Sequence, residues 1–114
     1  MAKLEVLERD TWEEAVNAPV AMILLGKTTC AACNAWTEEL ESFLEEDSEF
    51  GEVRFAKILL DKGGLGKWKK ATPWLGEVND LPTNVIYVNG EPVKRWAGNG
   101  TDRMANRLRR YTQG

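Results

Sequence analysis

Three stretches of the chain have the apolar pattern of β-strands. Residues Val20–Leu25 are all apolar, which is typical of a strand that is covered on both faces of a sheet. Residues 53–60 read as another central strand, and Leu4, Val6 and Leu7 mark a short strand near the N-terminus. The pattern therefore predicts a sheet that is buried around Val20–Leu25.

A β-hairpin is predicted in the last third of the chain. Asn89-Gly90 separates the segments 85–88 and 93–96, and this dipeptide suits a type I′ turn because both residues tolerate a positive φ. Pro92 has no amide proton to donate to a neighbouring strand. The second strand of the hairpin should therefore lie at the edge of the sheet.

Three segments show the three-to-four-residue apolar spacing of helices. The first lies within 10–18, the second spans about 30–46 and the third spans 101–111. Thr28 or Thr29 is expected to cap the second helix, because a threonine hydroxyl accepts a hydrogen bond from a free amide at a helix start.

The stretch 63–80 has no regular pattern beyond one helical turn around 65–70. Two of the five tryptophans, Trp68 and Trp74, fall in this stretch and flank two lysines. They either pack as a satellite of the core or form a surface on which a partner docks.

The predicted order of elements is strand, helix, strand, helix, strand, hairpin and helix. This order gives an α/β fold with a mixed central sheet and helices on both faces. The 114 residues are enough for one domain, spanning 1–114, with its own core. The chain has no histidine, which excludes histidine-based acid–base catalysis, Ser-His and Cys-His nucleophile pairs and most zinc sites.

Charge and hydropathy narrow the range of partners. The net charge of −3 gives no general reason to expect nucleic acid. The longest apolar run, Val20–Leu25, is far shorter than the roughly 20 residues of a membrane helix. The N-terminus lacks the apolar stretch of a signal peptide. We therefore expect a cytoplasmic monomer that binds neither nucleic acid nor membranes.

The charges are divided unevenly along the chain. Residues 1–53 hold 13 of the 18 acidic residues, whereas residues 54–114 hold 12 of the 15 basic ones. Either the two halves attract each other once folded and the charges form solvated faces, or a bipolar surface selects partners.

The two cysteines indicate a specific chemistry. Cys30 and Cys33 are separated by Ala31-Ala32 and follow the strand Val20–Leu25 at the start of a predicted helix. This spacing brings the two sulfurs close enough to bond, and the free amides of the helix start stabilise a thiolate on the first cysteine. Cys30 is the candidate nucleophile, and Cys33 is the candidate thiol that resolves the mixed disulfide.

Two other uses of the cysteine pair stay open. Zinc or an iron–sulfur cluster needs about four ligands, so Cys30 and Cys33 would share the metal with a second chain or with carboxylates. A purely structural disulfide, or two unreactive core thiols, would need no further group.

Several short motifs occur in one order over nearly the whole chain. They are the strand Val20–Leu25 before Cys30-Ala31-Ala32-Cys33, the segment Ala56–Asp61, the triplet Leu81-Pro82-Thr83 before the strand Val85–Val88, the hairpin Asn89-Gly90-Glu91, and Gly98 after the last strand. In these motifs the chain resembles the thioredoxin superfamily.

The resemblance implies a thioredoxin-like fold and thiol–disulfide exchange on protein disulfides or thiols, with a reductase or other electron donor and no cofactor. It implies that Pro82 follows a cis peptide bond and faces the two sulfurs, and that the Leu81 backbone pairs with an extended substrate. Thr29 and Gly98 are carried over as further substrate-binding residues, and Lys57 as the residue that tunes the thiol pKa. The alternative is a binding or adaptor module whose cysteine pair is regulatory or vestigial.

The chain departs from the family pattern at several positions. Thr29 replaces the usual tryptophan before the first cysteine, and Ala31-Ala32 replaces Gly-Pro. The family's buried acid falls on Leu24, so the resolving thiol has no evident proton acceptor except solvent. The stretch from Asp61 to Pro82 is also longer than in the commonest thioredoxins.

Overall fold

The elements of the structure follow the order that the apolar pattern predicts. The computed structural model describes residues 4–113. Its elements are β1 (Glu5–Val6), α1 (Trp12–Val16), β2 (Val20–Gly26), α2 (Ala31–Glu46), β3 (Arg54–Leu59), α3 (Gly66–Lys70), a 3₁₀ helix (Pro73–Glu77), β4 (Thr83–Val88), β5 (Glu91–Ala97) and α4 (Thr101–Thr112). No helix within the described residues is both long and apolar enough to cross a membrane.

The five strands form one mixed sheet in the order β1-β3-β2-β4-β5. β3 runs parallel to both β1 and β2, whereas β4 runs antiparallel to β2 and β5 runs antiparallel to β4. The all-apolar strand β2 is central, and every residue from Ala21 to Gly26 is buried. The prediction of an α/β fold with a mixed sheet is confirmed.

Each face of the sheet has its own apolar cluster, because side chains alternate between the faces along a strand. On β2, Ala21, Ile23 and Leu25 join the cluster that includes α1 and α3 residues, whereas Met22 and Leu24 join the one that includes α2 and α4 residues. Helices therefore cover both faces, as predicted.

The hairpin also forms where the sequence places it. Asn89 and Gly90 have φ values of 51° and 87°, and a type I′ turn requires both to be positive. Pro92 lies opposite Tyr87 on β5, an edge strand, where the register of the ladder shifts by an irregularity. The missing amide proton of Pro92 is thus accommodated at the edge.

The stretch 63–80 is more ordered than its sequence indicates. α3 matches the predicted turn around 65–70, but the 3₁₀ helix at Pro73–Glu77 was not predicted. Its proline stands at the first helical position. An amide proton there would have no intrahelical acceptor, so its absence in proline costs no hydrogen bond. A single short turn of this kind leaves no apolar periodicity in the sequence.

The tryptophans of this stretch pack inward. Trp68 is 1% exposed, and its indole nitrogen donates to the Tyr87 hydroxyl at 3.3 Å. The half-buried Trp74 meets Trp68 edge to face with 6.5 Å between ring centroids, and the Arg95 guanidinium lies 4.7 Å from the centroid of its ring. The interpretation as a satellite of the core is confirmed for Trp68, and a docking role for that residue is wrong.

Candidate active site

The cysteine pair stands where β2 has ended and α2 begins. Cys30 is the N-cap residue of α2, with extended backbone angles, and Cys33 lies in the first turn. Their Cα atoms are 5.2 Å apart, and the two sulfurs are joined by a disulfide. The sequence prediction that this spacing brings the sulfurs within bonding distance is confirmed.

The sulfur of Cys30 itself caps the helix. It accepts a hydrogen bond from the backbone N–H of Cys33 at 3.1 Å. The prediction of a threonine cap is therefore wrong: Thr28 bonds elsewhere, and Thr29 lies one residue before the cap. Because the cap group is a sulfur, the free amides and positive dipole end of the helix act on the reactive atom.

The two cysteines differ in their access to solvent. Cys30 is partly exposed, whereas Cys33 is 1% exposed. Cys33 packs on Gly26, the last residue of β2: a Cβ atom on Gly26 would stand 3.0 Å from Cys33 Cβ and 3.1 Å from its Sγ. Only glycine gives the sulfur this room. Sequence reasoning did not identify this packing.

The loop before Cys30 is anchored to the end of β3. The backbone N–H of Thr28 donates to both carboxylate oxygens of Asp61 at 3.1 Å, and the Thr28 hydroxyl donates to Oδ2. These bonds, the hydroxyl bond first, hold the pKa of the Asp61 carboxyl below its usual value. Asp61 belongs to a motif of the resemblance, but its role was not predicted.

This anchor predicts a stability difference that depends on pH. The pKa of Asp61 is lower in the folded protein, so its stabilisation is present above the unfolded-state pKa and is lost as the pH falls through the folded-state pKa. Asp61→Asn should therefore be less stable than the wild type above about pH 5, with the gap closing below about pH 4. Urea unfolding across this range measures the gap.

Two threonine variants serve as matched tests of the same anchor. Thr28→Val removes the hydroxyl that bonds Asp61 and should lose stability, whereas Thr29→Val alters an exposed side chain that makes no hydrogen bond among the described residues. If the difference in stability between Asp61→Asn and the wild type stayed constant down to pH 3, the ionised Asp61 carboxylate would not be the source of the stabilisation.

Pro82 and Gly98 lie together at the end of the sheet that carries the cysteines. The Leu81–Pro82 bond is cis, as the resemblance implies. The Pro82 carbonyl accepts a hydrogen bond from the Gly98 N–H at 2.8 Å, and Gly98 has a φ of 98°, which favours glycine. Pro82 is buried, while Leu81 is half-buried and packs against the cluster that includes α1 and α3 residues.

A buried asparagine joins this loop to the helix that carries the cysteines. Asn84 is fully buried; its side-chain oxygen accepts from the Trp36 indole N–H at 2.8 Å, and its nitrogen donates to the Gly98 carbonyl at 2.8 Å. Trp36 lies on α2, so the loop and the helix share one network. Sequence reasoning missed Asn84; a polar residue directly before the apolar run Val85–Val88 was the available signal.

Lys57 and Leu24 lie opposite each other on β3 and β2. Lys57 is half-buried and forms no ion pair among the described residues, and Leu24 is 1% exposed. Leu24 Cδ2 stands 3.5 Å from the position of a Cβ on Gly26, so it fills space beside Cys33. The surroundings of the resolving thiol on this side are apolar.

A metal has no ready site within residues 4–113. No group of three or more cysteine, aspartate or glutamate side chains in this part of the chain is placed to hold an ion. A metal on Cys30 and Cys33 would therefore need ligands from a second chain, which is one of the two ligand sources that the sequence left open.

A mixed five-stranded sheet between two helical layers, with Cys-X-X-Cys at the start of α2 and a cis proline before β4, defines a thioredoxin-like fold. Comparison with known structures agrees. Malassezia sympodialis thioredoxin (Mala s 13) superposes with a TM-score of 0.75 at 17% identity, covering 98% of this chain and 93% of that one. Chlamydomonas reinhardtii thioredoxin f2 gives 0.74 at 20% identity, covering 97% and 98%.

The sequence comparisons are weaker than the structural ones. No protein-family model matches the chain. A Dictyostelium discoideum protein that carries the name thioredoxin-5 as a provisional assignment is 27% identical over 97 residues, which cover 85% of this chain and 86% of that protein. Together with the structures, this similarity shows that the chain has a thioredoxin-like fold, as its motifs implied.

Proposed function

We propose that this chain is a thiol–disulfide oxidoreductase that acts on protein substrates, with Cys30 as nucleophile and Cys33 as resolving thiol. The observation that carries the proposal is the asymmetry of the pair. Cys30 is partly exposed and accepts an amide hydrogen bond at the start of a 16-residue helix, whereas Cys33 is buried against Gly26. One thiol is thus available to an incoming disulfide and the other is shielded from it.

The proposed cycle moves two electrons from the protein to the substrate. The Cys30 thiolate attacks a substrate disulfide, so a bond forms between Cys30 and one substrate sulfur, and the other substrate sulfur leaves as a thiolate that takes a proton. Cys33 then loses its proton and attacks the Cys30 sulfur, which closes the Cys30–Cys33 disulfide and releases the second substrate thiol. A reductase or a small dithiol must return the two electrons.

The substrate is proposed to lie across the cysteine end of the sheet. Thr29 is exposed next to Cys30, and the loop residues Pro82 and Gly98 are held together by a hydrogen bond. In this proposal the backbone of Leu81 pairs with an extended substrate segment, and Lys57 is the charged group that influences the thiols from β3.

Alkylation of the reduced protein tests the assignment of the two thiols. We expect one thiol per molecule to react with iodoacetamide well below the usual thiol pKa of about 8.5, because the helix amides favour the thiolate. Peptide mapping should place the modification at Cys30. Stopped-flow rates between pH 4 and pH 10 give the pKa, with Cys30→Ser as the control.

Two outcomes would contradict the proposal. Reaction at Cys33 before Cys30 would reverse the roles of the thiols. Ordinary reactivity of both thiols, together with no acceleration of protein-disulfide reduction by dithiothreitol, would favour a binding module with a vestigial pair.

A further inference from the structure

Ion pairs in the folded protein partly neutralise the charge asymmetry of the sequence. Within residues 4–113, three of the four ion pairs join a base from the second half of the chain to an acid from the first half. These pairs are Arg54 with Glu5, Arg54 with Glu14, and Arg109 with Glu49. The two halves of the chain therefore attract each other through ion pairs, but among the described residues only two basic residues of the second half, Arg54 and Arg109, take part.

A groove between β5 and α4 collects basic residues that have no such partner. This α4–β5 groove has a volume of about 270 Å³ and is lined by Lys94, Arg103, Asn106, Arg107, Arg110 and Tyr111. No acidic residue lines it. Among the described residues, none of its four cationic side chains forms an ion pair with a carboxylate.

The arginines of the groove form a row along one face of α4. Arg103, Arg107 and Arg110 follow each other at intervals of four and three residues, which share a helix face and span about 10 Å along the axis. The Arg107 guanidinium lies 5.0 Å from the centroid of the Trp96 ring, which orients it. A row of this length matches about three residues of an extended peptide.

The groove starts at the end of the sheet that carries the cysteines. Leu25 lies opposite Thr83, and Thr83 lies opposite Ala97, so the ends of β2 and β5 are two strand spacings, or about 10 Å, apart. β2 ends on the glycine that contacts Cys33. Arg103, in the first turn of α4, donates to the Ala97 carbonyl at 2.8 Å and so ties the groove to this end.

We propose that the α4–β5 groove binds an acidic segment of the protein substrate while the substrate disulfide lies at Cys30. This inference rests on the proposed function and names the substrate class. The unpaired cations complement glutamate and aspartate side chains, and the open row suits an extended segment. An acidic side chain about three to seven residues from the substrate cysteine would reach the groove, because an extended chain advances about 3.3 Å per residue.

Three peptide disulfides test the proposal. They differ only in a block of three residues, which is Glu, Gln or Lys, placed five residues from the disulfide. With dithiothreitol as electron donor, kcat/KM should be about tenfold higher for the Glu peptide than for the Gln peptide at low ionic strength, and lowest for the Lys peptide. The preference should largely disappear in 0.5 M NaCl, where charges are screened within about 4 Å.

Charge reversal distinguishes docking from a loss of folding. The side chains of Lys94 and Arg110 make no hydrogen bond or ion pair within residues 4–113. The double variant Lys94→Glu/Arg110→Glu leaves the groove with two arginines and two glutamates, so it should lose the preference for the Glu peptide. It should still turn over all three peptides, which a misfolded protein cannot do. The matched control Lys67→Glu/Lys70→Glu makes the same change in net charge on α3, against the other face of the sheet, and should keep the wild-type preference.

Each other result has a defined meaning. Equal kcat/KM for all three peptides with the wild type would overturn the groove proposal and leave the proposed function intact. No turnover of any peptide, including the Gln peptide, would overturn the proposed function and the groove proposal with it. Self-association that sedimentation detects and Lys94→Glu/Arg110→Glu abolishes would assign the groove to a second copy of this chain and overturn an acidic substrate.

Discussion

Replacing Cys30 with serine should reduce catalysed disulfide exchange to the rate measured without protein. The hydroxyl that remains is not ionised near neutral pH and cannot form a mixed disulfide. Cys33 cannot take over, because it is 1% exposed and packs on Gly26. The measurement is the initial rate of reduction of a protein disulfide by dithiothreitol, with and without the variant.

The matching variant Cys33→Ser should lose turnover in a different way. Cys30 keeps its exposure and its place at the start of α2, so it should still attack a substrate disulfide once. Without the resolving thiol, the mixed disulfide should accumulate to about one substrate per protein molecule, which intact-mass spectrometry detects. Turnover by Cys30→Ser, or failure of Cys33→Ser to trap any substrate, would contradict the assigned roles.

The parts of the fold that the sequence predicted are those with strong local signals. The continuous apolar run of β2, the Asn89-Gly90 turn and the spaced apolar residues of α2 and α4 each favour one local structure, and the sheet follows from their order. The Cys-X-X-Cys spacing fixed the location of the candidate site for the same reason, since both cysteines belong to one helical turn.

The parts that were missed depend on contacts between residues distant in sequence. Asp61 holds Thr28 across 33 residues, and Asn84 joins Trp36 and Gly98 across 48 and 14 residues. No periodicity marks such pairs, because each partner is chosen by the tertiary fold.

The cap of α2 was missed for a different reason. Threonine is the commoner cap residue, but both threonines precede the N-cap position, and the sulfur of Cys30 occupies it. The helix amides were already expected to favour a thiolate on Cys30, so the error concerned only which side chain caps the helix.

Leu24→Asp should lower stability and accelerate the resolving step. Leu24 is 1% exposed between Lys57 and Asn84, so a carboxylate there loses apolar burial and is desolvated, at a cost of about 3–5 kcal/mol in the free energy of unfolding. Burial would raise the pKa of the new carboxyl above its unfolded value. The loss of stability should therefore grow as the pH rises above about 4.

The new carboxylate would replace the Leu24 side chain, which now fills space beside Cys33. Once ionised, above neutral pH, it can accept the Cys33 proton and should raise the rate of mixed-disulfide resolution about tenfold or more. Stopped-flow release of the second substrate thiol measures this step, and the isosteric control Leu24→Asn should lose stability equally at all pH values without any gain in rate. If Leu24→Asp resolved the mixed disulfide no faster than the wild type at pH 8, solvent or Lys57 would already carry the proton, and the leucine would be a feature of stability alone.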